Sequence, residues 1–278
     1  MNTSNFLERT VNIKMKILLC NDDGVRTPGI VLLANRMAEL GHSITVVAPE
    51  RERSGAGHSV TLTSMHIERK LFPEYNKCVQ TFQCSGTPAD CAMLGLAVTA
   101  PDAELLISGI NAGPNLGCDV FYSGTVAAAR EGYFENRWGI AISLAVRRDD
   151  RATHYETAVR VIENLLANTD VLFEKNKPAL LNVNVPNRPF SEIKGFKAAF
   201  AGRCHFRNRI KTSEVRGEEH YYWLHGELAD DEELEGSDIK AVNDGFVALT
   251  FLQHDTTDHV LTHTLQLKAK DVLGENME

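Results

Sequence analysis

An apolar run, Ile17-Leu18-Leu19-Cys20, ends abruptly in Asn21-Asp22-Asp23-Gly24, and it constrains the fold more than any other stretch. Its unbroken apolar character is that of a strand buried on both faces. Helical periodicity follows over residues 29–40, closed by Gly41, and a second apolar run covers 44–48 and stops at Pro49. Strand, helix, strand at this spacing is a βαβ unit, which requires parallel pairing with helices over the sheet. Further strands are expected at 105–108, 140–145 and 179–185, and helices at 88–98, 125–136 and 154–167. The fold class is therefore α/β, with a mostly parallel sheet covered on both faces. Two stretches break the rhythm. Residues 59–64 and 79–84 alternate like the arms of a hairpin, and after about Pro186 the pattern gives way to aromatic and basic residues and an acidic run at 227–235, read as a solvated loop. Three segments are expected: a flexible extension at 1–14, a main domain at 15–186, and a smaller C-terminal region at 187–278 with hairpin or extended elements.

Charge and cysteine usage narrow the function. With 278 residues the chain can bury a large core, and its net charge of −8 leaves no broad basic face for a nucleic-acid polymer. The six cysteines form no Cys-x-x-Cys pair and no zinc-finger spacing, which points to reduced thiols and a cytoplasmic protein. No stretch is apolar enough for a bilayer span, so a soluble protein without a membrane partner is expected.

Four loops carry the residues that can do chemistry: Asn21-Asp22-Asp23-Gly24; Arg53-Ser54-Gly55-Ala56-Gly57-His58-Ser59; Ser108-Gly109-Ile110-Asn111-Ala112-Gly113-Pro114-Asn115; and Tyr122-Ser123-Gly124-Thr125. In a parallel sheet the loops after the first, second and third expected core strands leave by one edge and can converge. Asp22 and Asp23 repel one another unless a cation lies between them, and with the Ser54 hydroxyl and the Asn111 amide they make an all-oxygen ligand set, suited to magnesium or manganese rather than zinc. The competing reading of the first loop is an ordinary turn or cap. Ser123-Gly124-Thr125 opens the small-residue run Val126-Ala127-Ala128-Ala129, a helix start able to hold phosphate on its N–H groups, although capping alone is the commoner use. Thr87, Pro88 and Asp90 at the other helix start are explained by capping. Gly55-Ala56-Gly57-His58-Ser59-Val60 fails as a dinucleotide fingerprint, since Val60 stands where the third glycine belongs. No Gly-x-Ser-x-Gly elbow is present. His58, with Arg203 and Phe206 from the aromatic and basic stretch 203–223, is assigned to a substrate pocket, Arg203 and Phe206 as its base-side wall; the competing readings are a histidine satisfied by a hydrogen bond in its loop and core packing of the aromatic stretch.

Taken in order, these loops, with Val47-Ala48-Pro49-Glu50-Arg51, Gly86-Thr87-Pro88-Ala89-Asp90-Cys91, Asn182-Val183-Asn184-Val185-Pro186 and Tyr221-Tyr222-Trp223, resemble the SurE (survival protein E) family of nucleotidases. The resemblance implies a Rossmann-like domain and a smaller C-terminal part used in oligomer contacts, as a homodimer or homotetramer. It also implies hydrolysis of nucleoside 5′- and 3′-monophosphates dependent on one divalent ion per subunit. The family's metal ligands fall on Asp22, Asp23, Ser54 and Asn111, and the residue reading assigns Asn111, Ser123, Gly124 and Thr125 to the phosphate. Two other readings compete: a phosphatase with a covalent aspartyl-phosphate, for which Asp-x-Asp spacing would be expected, and a nucleotide-binding stress regulator without catalysis.

Overall fold

The computed structural model describes residues 14–173, 177–203, 206–216, 219–228 and 234–273. Its elements are β1 (Lys16–Cys20), α1 (Pro28–Glu39), β2 (Ser43–Pro49), β3 (Ile67–Arg69), β4 (Gln80–Cys84), α2 (Pro88–Leu94), β5 (Leu105–Ala112), α3 (Gly124–Phe134), β6 (Trp138–Ala145), α4 (Tyr155–Ala167), α5 (Thr169–Leu172), β7 (Ala179–Pro186), β8 (Phe196–Ala198), β9 (Phe206–Arg216), β10 (Glu219–Leu228), α6 (Asp238–Asn243), β11 (Val247–Leu252) and α7 (His259–Leu273). Among the described residues no helix is long and apolar enough to cross a membrane.

Nine strands form one sheet in the order β3-β4-β2-β1-β5-β6-β7-β11-β8. From β4 across to β7 every pairing is parallel, as the expected α/β class requires. Alternation along β1 explains why both faces are covered. Ile17 and Leu19 point to the side of α1 and α4, joining Ile30, Leu33 and Ile162, whereas Leu18 and Cys20 point to the side of α2 and α3, joining Cys91 and Val126. Each fully buried Leu or Ile contributes about 1.5–3 kcal/mol relative to exposure. The sheet continues past Pro186, because β11 pairs antiparallel with β7 and β8 pairs parallel with β11. The β9-β10 hairpin stands apart as a two-stranded sheet. Most of the acidic run at 227–235 lies outside the described residues.

One expectation is corrected. Residues 59–64 are not a hairpin partner of 79–84: β4 pairs parallel with β2 and antiparallel with β3. The polar-apolar alternation at 59–64 faces water, with Leu62 93% exposed, and the Thr61 N–H and hydroxyl go to the Asp90 carboxylate at the start of α2. Asp90 also completes a capping box with Thr87, the role expected for that pair.

The strand order reverses between β1, whose next strand lies on one side, and β5, which lies on the other. Crevices at such points, outside the carboxyl ends of strands, are where open α/β sheets bind ligands.

Candidate active site

A cavity of about 570 Å³ opens at this point. It is lined by Asp22 and Asp23 after β1, Glu52 and Ser54 after β2, Asn111 and Asn115 at the end of β5, and Asp119, Tyr122 and Ser123 before α3. The loops are bound to each other by backbone. Arg53 N–H donates to the Asp22 carbonyl at 2.7 Å, Val25 N–H to the Pro49 carbonyl at 2.9 Å, and Gly57 N–H to the Tyr122 carbonyl at 3.0 Å.

Within the first loop, turn and ligand roles are divided between residues. Asn21 is fully buried, its Nδ2 donating to the Gly24 carbonyl and the Thr27 hydroxyl, each at 2.9 Å, while its Oδ1 accepts from the Gly24 N–H. Gly24 takes φ +114°, a conformation side chains rarely adopt, and lets the chain turn beneath Pro49. Asn21 thus holds the turn and leaves both aspartates to the cavity. Asp22 is buried, and its Oδ1 accepts a 2.5 Å hydrogen bond from the Thr125 hydroxyl. Burial pushes its carboxyl above the usual range, with the Thr125 hydroxyl pulling the other way. Asp23 is pushed up to about 7, first by burial and then by the charge of Asp22, against a stabilising N–H from Ala112.

Asn111 donates its Nδ2 to the Gly113 carbonyl at 2.9 Å, which leaves Oδ1 as its ligand atom. The segment 111–115 is held from behind by buried amides. Asn115 N–H donates to Asn184 Oδ1, Asn115 Nδ2 to the Ser143 hydroxyl, and the side chains of Asn182 and Asn184 both donate to the Asn115 carbonyl. The Ser54 hydroxyl donates to Glu52 Oε1 at 2.8 Å. At α3, Gly124 permits a close approach that no other residue would: a Cβ there would stand 2.9 Å from the Asp22 Cβ and 2.8 Å from Pro88 Cγ. Ser123 lines the cavity, and its hydroxyl caps the helix by accepting from Val126 N–H at 3.0 Å. Thr125 lies behind Asp22, fully buried, so its hydroxyl serves the carboxylate and not the cavity.

Four carboxylates, Asp22, Asp23, Glu52 and Asp119, line this cavity, and no Lys, Arg or His does among the described residues. Such a cavity repels a phosphate unless a cation enters with it. No three His, Cys, Asp or Glu side chains among the described residues are grouped closely enough to hold an ion by themselves. A cation would therefore be held by the two aspartates completed by neutral oxygens, for which Ser54 and Asn111 are placed. Hard donors of this kind fit a magnesium-like ion.

This chain matches the Survival protein SurE family over residues 17–208. It is 42% identical to the 5′-nucleotidase SurE of Synechococcus sp. (strain JA-3-3Ab) over 260 residues, covering 91% of this chain and 96% of the relative. It is 41% identical to the 5′-nucleotidase SurE of Stenotrophomonas maltophilia (strain K279a) over 249 residues, covering 87% and 91%. The chain belongs to the SurE family. Its fold agrees with the crystal structure of the SurE protein from Aquifex aeolicus, with a TM-score of 0.75 at 34% identity over 91% of this chain and 98% of that one.

In this SurE chain the four expected ligand residues line one cavity, and of the three expected substrate-pocket residues His58 and Arg203 do not join them. His58 and Arg203 line a second cavity of about 440 Å³, on the other side of residues 117–121. Phe206 opens β9, and its side chain lies outside the described part of the structure. The second-strand loop explains the separation, since Gly57 is tied to the Tyr122 carbonyl and His58 beyond it turns away to pair with Glu131 at 2.5 Å. Sequence reasoning missed Glu52, Asp119 and Tyr155 as cavity residues. Glu52 stands two residues before Ser54 and could have been found from that spacing. Tyr155 starts α4, far from every loop motif, and nothing in the sequence marks it.

Proposed function

We propose that this SurE chain is a divalent-metal-dependent 5′-nucleotidase, hydrolysing nucleoside 5′- and 3′-monophosphates to nucleoside and phosphate. The observation carrying this reading is the cavity itself, a crevice at the strand-order reversal with four carboxylates and no cationic side chain among the described residues. The activity named for its relatives agrees with it. Asp22, Asp23, Ser54 and Asn111 would hold magnesium or manganese. When bound, such an ion supplies Lewis acidity, drawing charge from the phosphoryl oxygens and lowering the pKa of water.

The chain's own groups do the rest. Asp22 is fixed by the Thr125 hydroxyl and kept close to α3 by Gly124, so its orientation is set before substrate arrives. Asp22 and Asp23 are adjacent, not in the Asp-x-Asp spacing expected of an aspartyl-phosphate enzyme, which favours direct displacement by water in a single in-line step. The Asn111 side chain and the backbone N–H groups at the start of α3 stabilise charge on the phosphoryl oxygens as the leaving oxygen departs. Assembly as a homodimer or homotetramer belongs to the same proposal and is supported by α7, where Val260, Leu261, Leu265 and Leu267 are all exposed. A reducing, cytoplasmic setting is supported by Cys84 and Cys91, which meet as hydrogen-bonded thiols.

Phosphate release from AMP by metal-stripped protein, before and after adding manganese, tests the reading. Activity appearing only with the ion supports it, and equal release in a chelator contradicts it. A chiral thiophosphate substrate should give inverted product, whereas retention or a trapped aspartyl-phosphate would restore the covalent route.

A further inference from the structure

The second cavity reverses the charge of the first. Arg130, Arg203, His58 and His254 line it, and no Asp or Glu does among the described residues. This is unexpected in a chain of net charge −8, where a cationic recess has to be built against the overall balance. Arg130 is held in place rather than left to solvent. Glu131, itself buried, meets His58 Nε2 at 2.5 Å, and Arg130 reaches the other ring nitrogen, Nδ1, at 3.4 Å. The imidazole thus donates to Glu131 through Nε2 and accepts from the guanidinium through Nδ1. Arg130 makes no ion pair within 4 Å with a described carboxylate, although burial lowers its pKa and only the neighbouring Glu131 acts against this. A guanidinium held partly out of water without a paired anion is arranged to receive one, and its planar fork matches a phosphate.

The rest of the wall suits a flat ring. His58 stacks on Phe134 with centroids 5.9 Å apart and planes 11° apart, and Phe121 and Phe134 are both exposed toward solvent. Exposed aromatic faces beside a guanidinium offer a base its stacking surface and its phosphate a partner.

We propose that this cavity is a second nucleotide-binding site, separate from the metal-dependent one, which takes a nucleoside phosphate on Arg130 and Arg203 with its base against the aromatic wall. The inference goes beyond the proposed hydrolysis and can be tested where hydrolysis cannot occur. With the full chain in EDTA, the acidic cavity rejects phosphate, so any saturable AMP binding by equilibrium dialysis reports the cationic one. The expected result is one AMP per chain in EDTA, weakening as salt rises, with inorganic phosphate and adenosine each binding more weakly than AMP. Arg130→Gln should weaken AMP binding roughly tenfold to a hundredfold, the loss expected for hydrogen bonds to a charged group. Because Arg130 is partly buried and its replacement could disturb α3, Arg203→Gln, at an exposed position, gives an independent reading and should weaken binding in the same direction. No saturable AMP binding in EDTA overturns the proposal, as does binding unchanged in both variants. Equal affinity for AMP and inorganic phosphate overturns the nucleotide assignment. None of these outcomes bears on whether manganese restores hydrolysis.

Discussion

Two cavities lie on opposite sides of residues 117–122, and their electrostatics are opposed. One holds Asp22, Asp23, Glu52 and Asp119 with no basic side chain among the described residues; the other holds the guanidinium groups of Arg130 and Arg203 beside His58 and His254, with no Asp or Glu among the described residues that line it. Phe121 faces the cationic cavity and Tyr122 the acidic one, so adjacent residues serve both. The contrast teaches that a phosphate ligand can be met in two ways by one fold. A side-chain cation attracts the anion permanently, whereas an acidic cleft admits it only together with a mobile cation and so makes binding conditional on that ion.

The comparison breaks most visibly at the aspartates. Asp22→Asn or Asp23→Asn should lower phosphate release from AMP by roughly a thousandfold or more, because each removes charge needed to hold the ion. The same changes relieve burial and mutual repulsion, so thermal stability without metal should hold or rise. Near-normal turnover of either variant at saturating metal would remove that residue from the site.

Gly124→Ala is next in size. Its added methyl would meet Asp22 and Pro88 at under 3 Å, so α3 must shift away from β1. Overpacking of this kind costs about 1–3 kcal/mol, and activity should fall along with Tm. Calorimetry and initial rates check both, and a variant as active and stable as the parent would show that the approach of α3 to Asp22 is not required.

A smaller effect is expected at Asp119, whose carboxyl is pushed up to about 6 by burial first and by Asp238 second. Since its folded pKa exceeds its ordinary 3.8, folding favours the protonated form, and that advantage is lost as pH rises through about 6. Metal-free Asp119→Asn should therefore match the parent in Tm near pH 4 and exceed it at pH 7. A gap that stays constant across this range would show that Asp119 does not titrate as its surroundings require.

How much of this was readable in the sequence differs between the same two regions. β1, α1 and β2 follow from apolar runs and helical periodicity, because burial on both sheet faces leaves a continuous signal. The convergence of Asp22, Asp23, Ser54 and Asn111 was legible as well, since parallel strands send their following loops to one edge. The cationic cavity was not, because it is assembled from the far end of the second-strand loop, the outer side of α3, and segments near residues 202 and 254 that no local pattern connects. His58 and Arg203 were recognised as binding residues by type, while their cavity was decided by the tie from Gly57 to Tyr122. The misread strand at 59–64 has a similar origin, since alternation reports a buried face only where one exists, and Leu62 faces water.

In the proposed reaction the acidic cavity works through a cation held between Asp22 and Asp23. Calorimetric titration of manganese into metal-free protein, without substrate, tests it most directly. The expected result is one ion per chain, affinity lowered modestly by Ser54→Ala, which removes a neutral ligand, and binding abolished in the Asp22→Asn, Asp23→Asn double variant. Manganese binding of unchanged stoichiometry and affinity in the double variant would contradict it.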